Sequence, residues 1–248
     1  YMKKNELSKK DTPLLLGLLV KKFTENGTPY IHFNWGKISF LFIFLIIFLW
    51  LSLATLFFAY FKYVKDFDTV KFSNMILLPI KYGEHRIEMG DRHIDRGLKA
   101  IKESNYPDAI RLLRLGLARS PGNLKGLVSL AQIYEFGIKR KDIAIEMYLS
   151  GFEYNGINDK DFCVAALKSL LDNKMDAEIV SIAKQYLPKK FAAGDNTNFQ
   201  ILAYAAAATS FYRGNFDKSE DYINTFLLNE SIDGIILSSK VSWDRGDK

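Results

Sequence analysis

The chain has 248 residues, 48% hydrophobic and 25% charged, enough for one membrane span and one domain of ordinary size. Its net charge of +6 is confined: residues 1–65 carry nine Lys and three acids, whereas residues 66–248 carry 25 basic and 25 acidic side chains. The larger part therefore lacks the basic footprint of a nucleic-acid binder. The single cysteine, Cys163, excludes an intramolecular disulfide and a cysteine-rich zinc site.

Residues 1–37 read as a Lys-rich arm. Within it, the uncharged run Leu14–Val20 is too short to cross a bilayer. The expectation there is a short amphipathic helix at the lipid interface, with Leu15 and Leu18 as possible contacts to another subunit. The sequence ENGTP, Glu25–Pro29, reads as a turn.

Ile38–Phe61 follows, twenty-four residues without a charge, proline or glycine. As a helix it reaches about 36 Å, enough for a hydrocarbon core of about 30 Å. Trp35, Lys37, Trp50, Tyr60 and Lys62 are the expected anchors, because amphipathic aromatics and snorkelling lysines favour membrane interfaces. The run is longer, and lies farther along the chain, than the apolar core of a signal peptide. Seven Phe and no Gly-x-x-x-Gly point to a lipid-facing helix instead of a tight dimer seam. The arm as a whole carries seven Lys, although the near flank after the span is slightly the more basic. The expected topology is a cytoplasmic N-terminus with the large domain in a bacterial periplasm, since long domains translocate largely regardless of charge. Residues 62–89 read as an irregular connector hugging the membrane, broken at Pro79, with a helix from near Glu84.

From Gly90 the chain repeats itself. Gly97, Ala100, Tyr106, Ala109, Leu113, Gly116 and Pro121 fall at positions 8, 11, 17, 20, 24, 27 and 32 of a 34-residue unit. A second unit starts near Leu124 and matches with Leu130, Ala131 and Tyr134. After one extra residue around Gly137–Arg140 it matches again with Ala144, Tyr148 and Gly151. A third unit from Asn158 is degenerate, an insert runs from Lys189 to Phe199, and a fourth unit starts at Gln200. Small residues at such spacings let two helices of a unit approach closely, large ones fill the gap, and proline ends the second helix.

Over residues 90–233 this pattern resembles the tetratricopeptide repeat (TPR) family. The resemblance implies an all-α fold: a single N-terminal transmembrane helix followed by an α-solenoid of TPR helix pairs. It also implies partner binding on the concave face of the first helices, which in this register includes Asp91, Lys125, Gln132, Glu135, Tyr204 and Phe211. The positions at which some chaperone-binding members hold a C-terminal carboxylate are Ile94 and Leu98 here, which speaks against that ligand.

His85 and His93, with Glu84, Glu88 and Asp91, form the one polar cluster worth weighing as a site, and they read as a solvated helix face. Residues Asn155–Asp161 lack the order of a calcium loop and read as a turn between units. Cys163 sits among apolar neighbours and reads as buried. No cofactor or metal is expected. The reading is a membrane-tethered scaffold or accessory subunit whose partners are other subunits or a peptide segment, together with the bilayer, and no nucleic acid. A structural homopolymer and an enzyme or sensor with an unrecognised site are the alternatives. Ile235, Ile236, Leu237 and Val241 supply the apolar face of a fifth first helix, so the natural chain is expected to continue beyond Lys248.

Overall fold

A computed structural model describes residues 12–23, 28–65, 67, 70–192 and 196–246. These form two compact units, divided between His85 and Arg86.

The first unit opens with a small antiparallel sheet, not a helix. Strands β1 (Thr12–Leu14), β2 (Leu19–Phe23) and β3 (Pro29–Phe33) pair in that order, with Leu19 opposite Phe33 and Lys21 opposite Ile31. The chain is mostly helical, consistent with the all-α expectation, and the described residues add this one small sheet. A seven-residue run is too short to repay helix nucleation, and Leu15, Leu16 and Gly17, all with positive φ, reverse the chain instead. Pairing then satisfies the backbone of β-formers such as Val20, Tyr30 and Ile31. The turn expected at Glu25–Pro29 falls largely outside the described residues, and Pro29 itself opens β3.

Helix α1 (Trp35–Ala59) is capped by the Asn34 side chain, which accepts from the Lys37 amide, and continues as a π-helical turn through Val64. The resulting apolar helix, Trp35–Val64, is long and apolar enough to cross a membrane. From Phe40 to Leu49 every side chain is exposed, whereas Ala54 is buried.

Helix α2 (Phe72–Ile76) covers one face of the second half of α1. Phe72 meets Phe58 edge-on at 5.4 Å, and the Trp50 indole N–H donates to the Ile76 carbonyl at 2.8 Å. The connector is therefore folded, not irregular. Helix α3 (Leu78–Lys102) begins six residues before the expected Glu84. Pro79 stands in its first turn, where the missing N–H has no helical partner to lose. Its backbone departs from helical geometry at Lys81, and its residues from Arg86 onward belong to the second unit.

In the second unit α3 is followed by α4 (Tyr106–Leu117), α5 (Leu124–Gln132), α6 (Lys141–Glu153), α7 (Lys160–Asp172), α8 (Asp176–Tyr186), α9 (Thr197–Tyr212), α10 (Phe216–Thr225) and α11 (Ile232–Arg245). The helices form four consecutive pairs and a final single helix. Helices α3 and α4 run antiparallel: Gly97 lies against Leu113, and Gly90 against Gly116 and Ser120. Each first helix from α5 onward also contacts the next first helix, and each second helix contacts the first helix of the following pair. Hydrogen bonds bridge equivalent places in successive pairs: Ser169 Oγ donates to Glu135 and Tyr186 Oη to the Phe152 carbonyl, each over 34 residues.

Helix starts follow from the sequence. Asn105, Asn123, Asp159, Asn196, Asn215 and Ser231 each accept an N–H of the first turn, a cap typically worth about 1 kcal/mol. The fourth pair begins at Thr197, three residues before the expected Gln200. The extra residue of the second pair is taken up within a helix: α5 runs into a π-helical turn, Ile133–Ile138, that ends at Lys139 with φ 60°. Wider i→i+5 bonding is the usual way for a helix to absorb one residue.

Ala109 and Ala144 are fully buried. Tyr148, Phe162, Leu170, Ile179 and Leu202 belong to the larger core, and Ala203, Ala207, Ile223, Phe226 and Val241 to a second one. On α11, Leu237 and Val241 are buried, while Ile235 and Ile236 are exposed.

Candidate functional site: an apolar groove between the first two helix pairs

The π-helical turn has a visible consequence. It presents Phe136, 71% exposed, on the rim of a groove of about 580 Å³. Ile101 at the end of α3, Tyr106 and Ile110 of α4, and Gln132, Ile133 and Ile138 line it with Phe136. Tyr106 and Ile138 are also exposed. Lys102 follows Ile101 in the chain, and Lys139 and Lys141 follow Ile138, so the sequence around this apolar surface is basic. The nearby acids are already engaged: Asp108 pairs with Arg111, Glu103 with Lys99 and Asp142 with Arg140.

Glu135, expected on a binding face, is buried, and this is a correction. Its Oε1 accepts from Ser169 Oγ at 2.7 Å and Asn173 Nδ2 at 3.1 Å, joining the π-helical turn to α7. Burial, and then the Glu135 charge, raise the pKa of the Tyr148 phenol. A carboxylate can be buried only where donors replace its water, and here the donors come from a later repeat.

The other expected lining residues do not form one surface. Asp91 is half-buried and accepts from Ser120 Oγ at 2.7 Å and Asn123 Nδ2 at 2.8 Å, so it ties α3 to the turn before α5. Gln132 lies in the groove described above. Lys125 is exposed beside a separate depression with Val128 and Asp161. Tyr204 lines a third, near Val164 and Asp233. Phe211 is half-buried against Phe216 and the second core. Ile94 is completely buried.

The histidine cluster is also corrected, since it is neither one site nor a solvated face. His85 is buried and meets Phe61 at 5.4 Å. His93 lies within hydrogen-bonding distance of Arg119, 2.9 Å from Nη1 to Nε2. Burial first, then Arg119 and the neighbouring Arg96 and Arg92, hold its pKa below the ordinary value. Cys163 is buried and its Sγ donates to the Gly156 carbonyl at 3.3 Å. Burial, then Asp159, push the thiol up to about 12. Among the described residues no three metal-ligating side chains come together.

Of the expected membrane anchors, Trp35 is exposed and stacks with Phe33 at 5.9 Å, and Lys37 lies beside the β1–β2 turn. Tyr60 and Lys62 occupy the π-helical end of α1, with Lys62 Nζ 5.4 Å from the Phe58 ring centre. Trp50 is half-buried, and its indole N–H donates to the Ile76 carbonyl, so it also packs α1 against α2.

The sequence matches no family model and no curated protein. Sequence reasoning missed the groove because its key residue, Phe136, sits in the inserted turn, outside the repeat register.

Proposed function

We propose that the chain is a non-catalytic, membrane-tethered interaction platform of the TPR type, an accessory subunit or assembly adaptor of a larger membrane complex. The N-terminal arm lies in the cytoplasm and the helix pairs in the periplasm. The observation that carries this reading is the exposed apolar groove at Phe136, set among short helix pairs in a chain that also holds a helix long enough to span a bilayer. A monomer gains nothing by holding a large aromatic in water, so an exposed apolar patch of this kind marks an interaction surface. The basic residues Lys102, Lys139 and Lys141 suit a partner segment with an apolar anchor and acidic flanks.

The test is purification of the tagged full chain in mild detergent, beside Phe136→Asp and Ile138→Asp. Both side chains are exposed, so the variants keep their helical spectrum. Wild type is expected to bring a stoichiometric membrane companion that both variants lose. Purification of wild type alone, or as a homopolymer only, would refute the platform. A companion retained by both variants would refute the groove.

A further inference from the structure

We propose that the β1–β2 turn, Leu15–Leu18, is a lipid-inserting wedge whose ligand is the acyl-chain layer of the leaflet in which α1 begins. The inference rests on the membrane-span reading of α1 and goes beyond the interaction groove.

Three observations converge on it. The first is position. Leu16 and Leu18 share a shallow apolar groove with Gly36, Lys37, Phe40 and Leu41. The Leu18 carbonyl also accepts from the Asn34 amide at 2.9 Å, fastening the turn to the start of α1. Phe40 and Leu41 already belong to the uncharged membrane-crossing run. The turn is thus held beside the first turns of α1, from Asn34 to Leu41, where the uncharged run begins.

The second observation is exposure under strain. Leu16 is 100% exposed and Leu15 69%, and both have positive φ, 58° and 50°. Leucine gains nothing from a left-handed backbone, and nothing from presenting its side chain to water. A strained, water-facing pair of leucines is accounted for if the medium around it is apolar.

The third is backbone pairing at the base of the turn and one bond across it. Irregular backbone is excluded from hydrocarbon unless its groups are satisfied. Here β1 pairs with β2, and the Leu18 amide donates to the Leu15 carbonyl at 3.1 Å. Among the described residues of the arm, the charged side chains near the turn, Lys21, Lys22 and Lys37, are cationic and suit lipid phosphate.

The experiment places an environment-sensitive fluorophore on Leu16→Cys, and separately on Phe48→Cys, in the full chain reconstituted into phosphatidylcholine–phosphatidylglycerol vesicles. The native Cys163 is buried and protonated, so it need not be replaced. The position 16 probe is expected to be quenched by lipid spin-labelled near the headgroup end of its chain and shielded from aqueous iodide. The position 48 probe is expected to respond to lipid labelled near the chain terminus. A position 16 probe open to iodide and blind to lipid, with position 48 quenched, overturns the wedge and leaves the span standing. Shielding of position 16 from both quenchers means that protein covers the turn, which also overturns the proposal. Loss of lipid quenching at both positions defeats the span reading itself.

Discussion

Gly90 and Gly83 both lie in α3, seven residues apart, and the same substitution there should have opposite signs. Alanine is favoured over glycine by about 1 kcal/mol in a helix interior at either place. At Gly83 an added Cβ meets nothing within 4 Å, so Gly83→Ala should stabilise by up to about 1 kcal/mol. At Gly90 the Cβ would lie 2.7 Å from Ser120 Cβ, 2.8 Å from the Gly116 carbonyl oxygen and 2.8 Å from the Ser120 amide nitrogen. Two of these are backbone atoms, one in the last turn of α4 and one in the turn after it, and neither can swing aside as the end of a side chain can. Overpacking of a tight contact costs about 1–3 kcal/mol, and backbone neighbours place Gly90→Ala towards the upper part of that range. After the helix-propensity gain the net loss is about 1–2 kcal/mol. For a unit of this size that lowers the melting temperature by roughly 2–8 °C. Thermal unfolding followed by circular dichroism on the detergent-solubilised chain reads it. A Gly90→Ala protein melting at or above wild type would mean that α3 and α4 do not approach as described.

Two further outcomes follow from titratable groups. Cys163, with its thiol pushed up to about 12 by burial and then Asp159, should react with an aromatic disulfide reagent only as fast as the chain unfolds, and rapid labelling of native protein would refute its burial. His93, whose pKa burial and then Arg119 lower, binds fewer protons folded than unfolded. Its stabilising contribution is thus present above the unfolded value and is lost as pH falls through that value towards the folded one. Wild type should therefore lose more stability than His93→Asn between about pH 7.5 and about pH 5 in denaturant titrations. Parallel loss would refute this role for His93.

How much of this the sequence disclosed depends on how local the cause was. Gly97, Ala109, Leu113 and Gly116 announced the first helix pair, because close approach needs small residues at a fixed spacing. The single surplus residue near Gly137 was also visible, and only its form as a π-helical turn was not. The sheet stayed hidden because Leu14–Val20 is apolar without a period, and β3, which pairs with β2, lies in a separate stretch of the chain. Pro79 was read as a break although it begins α3, since proline serves both roles. Glu135 misled for a longer-range reason: nothing near it says that Ser169 and Asn173, from the next helix pair, will replace its water. His85 misled similarly, its aromatic neighbour Phe61 coming from the end of the apolar helix.

Helix α9 is covered by α7, α8, α10 and α11, and from Ala205 to Ser210 every side chain is buried. A helix enclosed on most of its surface has little polar stripe to display, and little is visible in QILAYAAAATS. Its amides have no shallow route to solvent: fraying, loop opening and the loss of one neighbour all leave the others in place. Deuterium reaches such a helix only through openings that disband most of the second unit, so α9 sets the upper bound on that unit's local stability. The groove at Phe136 lies at the opposite extreme, where a helix has been loosened by one residue. The proposed partner groove thus sits where helical bonding departs from its regular pattern, away from the most enclosed helix of the second unit.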